Sequence, residues 1–201
     1  MVEESGTLRH ARPRGPRSGW FPLGISVAAV AILVGGWTAV SAALPDSKPV
    51  SSGHSMVIAT GSGHEAKLSF DDGWELYPGS SSAGQQYRFG KGAVRLHVTV
   101  VTPPEGSSET ELWEGMREVA RVGDSSASLT DPRPVTAESG AKGLTGTLHS
   151  NKEIGTAALF PSPNGGFAVE SIAVGEESGG DLADAEKLLQ SIRFDRTGGG
   201  A

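Results

Sequence analysis

Residues 93–101 read AVRLHVTVV, and this stretch decides the fold class. Apolar and polar residues alternate along it: the apolar positions are Val94, Leu96, Val98 and Val100, and the polar positions between them are Arg95, His97 and Thr99. A period of two is typical of a half-buried β-strand, because successive side chains of a strand point to opposite faces of its sheet. The stretch therefore predicts a strand with one face against a core.

Shorter apolar stretches on both sides of this strand predict the rest of the sheet. Before it lie 67–70, 74–77 and 85–89, and after it lie 142–149, 153–160 and 166–174. The connections between them are rich in Asp, Asn, Pro and Gly, residues that adopt the backbone angles of tight turns. We therefore predict a single antiparallel sheet of about six to seven strands, joined largely as a meander.

Two amphipathic stretches predict helices over 108–122 and 181–192. In the first, Ser108 and Glu111 have the spacing of a capping box, and apolar residues then recur at helical spacing as far as Gly123. In the second, leucines and alanines fall on one helical stripe. Each stripe needs a sheet face to cover it, so the predicted fold class is α+β, with two helices packed on the sheet.

Several local motifs, taken in order, resemble a known family. A Gly-Trp pair at Gly73 and Trp74 follows Phe70, a Pro-Pro loop follows the long strand, and the closing helix runs into Ser-Ile-Arg-Phe. Together with the meander, these features of residues 56–195 resemble the PsbP-like α/β fold of small exported, membrane-anchored actinobacterial proteins. The resemblance implies an accessory or binding domain, and it implies no particular ligand.

The N-terminal part of the chain predicts a membrane anchor. Between Arg17 and Asp46 lie 28 residues without an ionisable side chain. A spanning helix needs about 20 apolar residues, whereas the apolar region of a signal peptide has roughly 7–15. Trp20 and Trp37 stand near the two ends, as aromatic residues do at membrane interfaces. We therefore predict a transmembrane helix over 20–44, in contact with the lipid bilayer.

Arginine placement predicts the orientation of this anchor. Residues 1–19 contain four arginines and form the predicted cytoplasmic tail, so the C-terminal part is predicted to be extracytoplasmic. That part comprises a flexible linker over 45–55, the α+β domain over 56–195 and a disordered tail over 196–201. Small residues before the linker leave an alternative open, in which cleavage near Ala42 or Ala43 releases a secreted protein.

Charge and cysteine content argue against several classes of function. From Asp46 onward the chain has 21 acidic and 13 basic side chains, a formal charge of −8. Phosphate contacts from Lys and Arg supply most of the affinity for nucleic acids, so we predict no nucleic-acid partner. The chain has no cysteine, which rules out disulfides and thiolate catalysis.

Possible catalytic residues and metal ligands have ordinary structural explanations. His97 and His149 fall on polar strand faces, and two histidines alone do not make a metal site. Consecutive carboxylates at Asp71 and Asp72 are typical of a turn before glycine. Residues 80–82 lie in GSSSAG, which is not the GxSxG pattern of a nucleophilic serine. We therefore predict no catalytic residue, no metal ligand and no cofactor.

The loop between Tyr77 and Tyr87 is the predicted contact surface. Its PGSSSAG sequence is polar and is bracketed by the two aromatic residues, which are suited to binding a partner. The predicted function is that of a membrane-anchored extracytoplasmic binding or accessory domain, not an enzyme, that contacts an envelope protein or an apolar, lipid-like ligand. Two alternatives remain: a transmembrane signalling or regulatory protein with a short tail, and an envelope hydrolase without a recognisable motif.

Overall fold

The long strand predicted from residues 93–101 lies near the middle of a large antiparallel sheet. The computed structural model describes residues 46–151, 153–175 and 181–198. The chain divides into the units Met1–Pro45 and Asp46–Ala201, and all described residues belong to the second. Its strands are β1 (Lys48–Pro49), β2 (Ser55–Gly61), β3 (His64–Ser69), β4 (Glu75–Leu76), β5 (Gln86–Lys91), β6 (Val94–Val101), β7 (Ser128–Leu129), β8 (Arg133–Thr136), β9 (Lys142–His149), β10 (Ile154–Pro161), β11 (Ala168–Gly175) and β12 (Arg193–Arg196). Its helices are α1 (Glu109–Gly123) and α2 (Asp181–Gln190).

Nine of these strands form the larger sheet, in the order β1-β4-β5-β6-β11-β10-β9-β7, with β8 also paired to β9. Every pairing is antiparallel, and in the register of β6 Leu96 stands opposite Phe89 of β5 and Ala173 of β11. The predicted alternation in residues 93–101 is confirmed, since Val94, Leu96 and Val98 are buried. We call their side of the sheet the core face and the opposite side the outer face.

The core face is covered by α2 and by the smaller, three-stranded sheet. That second sheet has the order β12-β3-β2. Leu68 from β3 and Leu188 from α2 belong to one buried cluster with Phe89 and Leu96 of the larger sheet. Because the apolar stripe of α2 and the apolar side of β3 meet the same face, this cluster forms the main core.

The outer face is covered by α1, which packs over β7, β9 and β10. The ring of Trp113 is fully buried there, and its Nε1 donates to the carbonyl of Thr130 at 3.2 Å. Gly146 makes room for it, because a Cβ at that position would lie 2.7 Å from Trp113 Cζ2. Helix α1 thus covers mainly the outer face over β7, β9 and β10, and Ile172 and Val174 of β11 pack against the cluster beneath it.

Both predicted helices are present, and the first begins as predicted. Ser108 Oγ accepts from the Glu111 amide at 3.2 Å, and Glu111 Oε2 accepts from the Ser108 amide at 2.8 Å, which completes the capping box. Helix α2 ends at Gln190, two residues earlier than predicted. The next residues turn at Ser191 and enter β12, where Phe194 pairs with Ala66 of β3.

The prediction of an α+β domain with a large antiparallel sheet and two helices is confirmed, but the prediction of one sheet is corrected. Strands β2 and β3 do not join the larger sheet, because β3 pairs with β2 on one side and with β12 on the other. Residues 48–49, within the segment predicted as a linker, form β1 and pair with β4. The Val50 amide also donates to the Trp74 carbonyl at 2.8 Å, so this segment is bonded to the domain.

The predicted cytoplasmic tail and transmembrane helix, residues 1–19 and 20–44, lie outside the described residues. Among the residues that are described, no helix is both long and apolar enough to cross a membrane.

Candidate functional site

The outer face of the larger sheet carries a groove over β5, β6 and β11, beside the area that α1 covers. Its volume is about 490 Å³, within the range of roughly 300–1,000 Å³ that is typical of small-molecule sites. Six of the lining residues supply the basic and apolar side chains of this groove: Tyr77, Arg88, Arg95, His97, Ile172 and Val174. The groove is therefore the candidate site, and it has an apolar part and a basic part.

The apolar residues lie on two sides of the groove: Tyr77 follows β4, and Ile172 and Val174 belong to β11, with β5 and β6 between them. Tyr77 lies over Gly90 of β5, where a Cβ would come within 2.9 Å of the ring carbon Cε2 and of the hydroxyl oxygen. Any larger residue at Gly90 would therefore push the tyrosine ring away. Ile172 and Val174 are only half-buried, and strand alternation places them on the outer face, opposite the core-facing Ala173.

The basic part comes from adjacent strands. Arg88 of β5 stands opposite His97 of β6, and Arg95 of β6 stands opposite Gly90 of β5. Both arginines are exposed. Arg95 forms an ion pair with Glu153, whereas Arg88 forms none with the residues of 46–151, 153–175 and 181–198. The positive charge of Arg88 is thus not neutralised by an acidic side chain in this part of the domain.

His97 lies between these arginines and the apolar residues of β11. Burial, and then the positive charge of Arg88, lower the pKa of His97, which favours the neutral imidazole at neutral pH. Its Nε2 is buried and has no hydrogen-bond partner among the described residues. The imidazole lines the groove, but Nε2 itself is covered by protein atoms, so a ligand in the groove would meet other atoms of His97.

Glu170 is the other titratable group on this part of the outer face. It stands opposite Thr99 in the register of β11 with β6 and lies two residues from Ile172. Burial raises its pKa to about 7. At neutral pH, Glu170 is therefore protonated in a large fraction of molecules, which reduces the negative charge beside the groove.

The two tyrosines predicted to share a contact surface lie on opposite faces of the larger sheet. Tyr87 is 7% exposed, and its ring stacks on Phe89 with centroids 6.1 Å apart. Its hydroxyl oxygen accepts from the Gly84 amide at 2.8 Å. The prediction for Tyr87 is corrected, because strand alternation places it on the core face with Phe89. Tyr77, half-buried at the groove, is the member of the pair that a ligand can reach.

The two histidines considered for a metal site are not brought together. β11 and β10 lie between His97 on β6 and His149 on β9, so about 14 Å separates the two strands at 4.7–4.9 Å per strand spacing. The register also places His149 on the core-face side with Thr147, and His97 on the outer face. The two imidazoles therefore cannot bind a common ion in this fold.

Asp71 has a structural role in the turn where the sequence places it. Its Oδ1 accepts from Trp74 Nε1 at 2.9 Å and from Lys91 Nζ at 3.3 Å. Burial raises the pKa of Asp71, but the hydrogen bond and charge of Lys91 outweigh burial, and the pKa is lowered overall. Lys91 also forms an ion pair with Asp184 of α2 at 3.0 Å. The carboxylate of Asp71 thus helps to hold Trp74 and α2 in place.

The serine loop after Tyr77 is closed by its own hydrogen bonds. Ser81 Oγ donates to the Tyr77 carbonyl at 2.8 Å and accepts from the Arg88 amide at 3.0 Å. The Ser82 and Gln86 backbones form a further bridge. Ser81 therefore links the backbones of Tyr77 and Arg88, two residues that line the groove.

Sequence reasoning missed the groove, although two signals point to it. In AVESIAVG, residues 168–175, apolar residues fall on both strand faces, which indicates a strand that is covered or contacted on both sides. In QYRF, residues 86–89, Tyr87 has the same parity as Phe89 and the opposite parity to Arg88. The second signal predicts that Tyr87 is buried and that Arg88 shares its face with the groove.

Comparisons with known proteins do not identify a family. No family model matches the sequence, and no curated protein matches it. Among solved structures, a crystal structure from Bacteroides thetaiotaomicron is similar, with a TM-score of 0.38, 12% identity and coverage of 68% of this chain and 47% of that chain. So slight a likeness carries no argument about fold or function.

Proposed function

We propose that this protein is an extracytoplasmic ligand-binding or accessory module, held at the membrane by residues 20–44, and that the groove on the outer face receives an apolar ligand. One observation carries the proposal: α1 packs mainly over β7, β9 and β10, whereas the outer face over β5, β6 and residues 172–174 of β11 forms a groove. An uncovered concave surface with apolar residues is the usual form of a small-molecule site.

The apolar residues of the groove are not needed to close the main core. Val94, Leu96 and Val98 of β6 face that core, and they are buried without any contribution from the outer face. Ile172 and Val174 pack against the cluster beneath α1 but are only half-buried, so they keep apolar area that a ligand would remove from water, at about 25 cal/mol per Å². This supports an apolar ligand over a purely polar one.

The alternatives have less support from the groove. A hydrolase needs a nucleophile paired with a base, and His97 Nε2 makes no hydrogen bond to a hydroxyl among the described residues. The signalling alternative depends on residues 1–19, which lie outside the described residues. An envelope protein as partner remains an alternative to the apolar ligand. The anchor and the extracytoplasmic location are proposed on the length of the apolar segment and on its arginines.

Photolabelling of the full chain tests the proposal. The protein is placed in neutral phosphatidylcholine nanodiscs with two probes of equal chain length, dodecanoate and dodecanol, each bearing a diazirine on the chain. We expect at least one probe to label peptides from β6 or β11, with labelling strongly reduced in Ile172→Trp, because the indole fills the groove. Val122→Trp is the control, since Val122 is 81% exposed on α1. Absence of groove labelling by both probes, or equal labelling of the two variants, contradicts the proposal.

A further inference from the structure

We propose that the ligand of the groove is a single-chain amphiphile with an anionic head group, whose head lies at Arg88, Arg95 and His97 and whose chain lies along Ile172 and Val174. This inference rests on the proposed function and adds the chemistry of the ligand. It follows from the charge of the groove and from the order of the strands that line it.

The charge of the groove is opposite to that of the domain around it. Residues from Asp46 onward have a formal charge of −8, yet the charged side chains that line the groove are the arginines Arg88 and Arg95. Of these two arginines, Arg95 alone has an acidic partner among the described residues, and that partner is Glu153. Two guanidinium groups beside a low-dielectric floor recognise a carboxylate or a phosphate, because each presents several N–H donors in a fixed plane.

The arrangement of residues separates the head of the ligand from its chain. Arg88, Arg95 and His97 belong to the neighbouring strands β5 and β6, whereas Ile172 and Val174 belong to β11 on the other side of β6. Tyr77 follows β4, on the side of β5 away from β11, and lies over Gly90, which stands opposite Arg95, so it borders the head of the ligand and not its chain. A ligand with a charged end and an apolar end therefore satisfies both parts of the groove, and a wholly apolar or wholly polar ligand satisfies one.

His97 gives the inference a measurable consequence. Its imidazole lines the groove and stands opposite Arg88 in the register of β5 and β6. An anion held by the two arginines would lie near this imidazole, and its negative charge would favour the protonated ring. Burial and Arg88 lower the pKa of His97 in the protein alone, so binding of an anion should raise that pKa.

The same two photoprobes test the inference, now through their half-saturating concentrations. We expect Arg88→Gln to raise the half-saturating concentration of dodecanoate at least about tenfold, since a hydrogen bond to a charged group is worth about 1.5–3 kcal/mol. Dodecanol should be unaffected. Arg196→Gln is the matched control, because Arg196 is an exposed arginine on β12, away from the groove. Comparing variants with one probe removes differences in how the two probes partition into the nanodisc.

A second measurement separates recognition of the anion from a loss of structure. The pKa of His97, followed by NMR of ring-labelled histidine and assigned with His97→Gln, should rise when dodecanoate is added and stay constant with dodecanol. Groove labelling by dodecanol that matches dodecanoate, with no effect of Arg88→Gln, would overturn the anionic head and leave the proposed function standing. Absence of labelling by either probe overturns both.

Discussion

Two glycines of the larger sheet decide which aromatic rings lie on its outer face. Gly146 lies beneath Trp113, and Gly90 lies beneath Tyr77; a Cβ at either position would approach the ring to less than 3 Å. Trp113 is carried by α1 and is fully buried, so it closes that part of the face. Tyr77 is carried by the end of a strand and is half-buried, so it leaves a groove beside it. Glycine thus allows close packing of an aromatic ring at both positions, with a buried ring over Gly146 and an accessible ring over Gly90.

Glu170 gives a testable pH dependence at this scale. Burial raises its pKa to about 7, from a usual value of 4.5. Between these values the unfolded chain loses the proton while the folded chain keeps it, so the stability contributed by this group is complete below about pH 4.5 and is lost as the pH rises to about 7. The full pKa shift would correspond to a larger loss, but part of the carboxyl is exposed to solvent. We therefore expect the free energy of unfolding to fall by roughly 2 kcal/mol over this pH range.

The substitution Glu170→Gln should remove this dependence. We expect the variant to be more stable than the native protein by roughly 2 kcal/mol at about pH 8 and equally stable at about pH 4. Urea unfolding at both pH values measures the two free energies of unfolding. Because other titratable groups are common to both proteins, their effects cancel in the difference. A difference that is the same at both pH values would show that ionisation of Glu170 is not its source.

At the scale of single elements, the best predicted parts are those whose signal is local. β6 was predicted from the alternation of Val94, Leu96 and Val98, and α1 from the capping box of Ser108 and Glu111, since both patterns lie within one element. The short strands β1, β7, β8 and β12 were not predicted, because two to four residues carry too little periodicity and form strands only by pairing with distant partners. The groove was missed for the same reason: it is made by three strands and the end of a fourth.

The capping box makes a prediction about α1. Replacing Ser108 with Ala removes the hydroxyl that accepts from the Glu111 amide, and it should lower the free energy of unfolding by about 1 kcal/mol. Ser107→Ala is the control, because the adjacent Ser107 makes a backbone hydrogen bond to Pro104 and caps no helix. Urea unfolding of both variants measures the effect. Equal stability of the two variants would contradict a capping role for Ser108.

At the scale of the whole molecule, the main core and the proposed binding groove lie on opposite faces of the larger sheet. The core face holds α2 and the smaller sheet, and it supplies the main buried cluster. The outer face is shared between the buried cluster beneath α1 and the groove with its two arginines. Both faces therefore contribute to stability, but the proposed site lies on the side away from the main core. We expect substitutions at Arg88 or Ile172 to change binding without opening the main core, and the variants proposed above depend on this separation.

The proposed membrane anchor makes the prediction that concerns the whole chain. A segment of 28 residues without an ionisable side chain is long enough to remain in the bilayer, and the arginines before it favour a cytoplasmic N-terminus. We expect the intact mass of the protein in the membrane fraction to match the uncleaved chain. Ile32→Arg should reduce the membrane-bound fraction, because a charged residue at the centre of a spanning helix costs about 2.5–3.5 kcal/mol. Val2→Arg, which adds the same charge to the predicted tail, should leave that fraction unchanged. Recovery of a chain that begins at Ala43 or Leu44 in the medium would contradict the anchor, and the groove would then bind its ligand in a secreted protein.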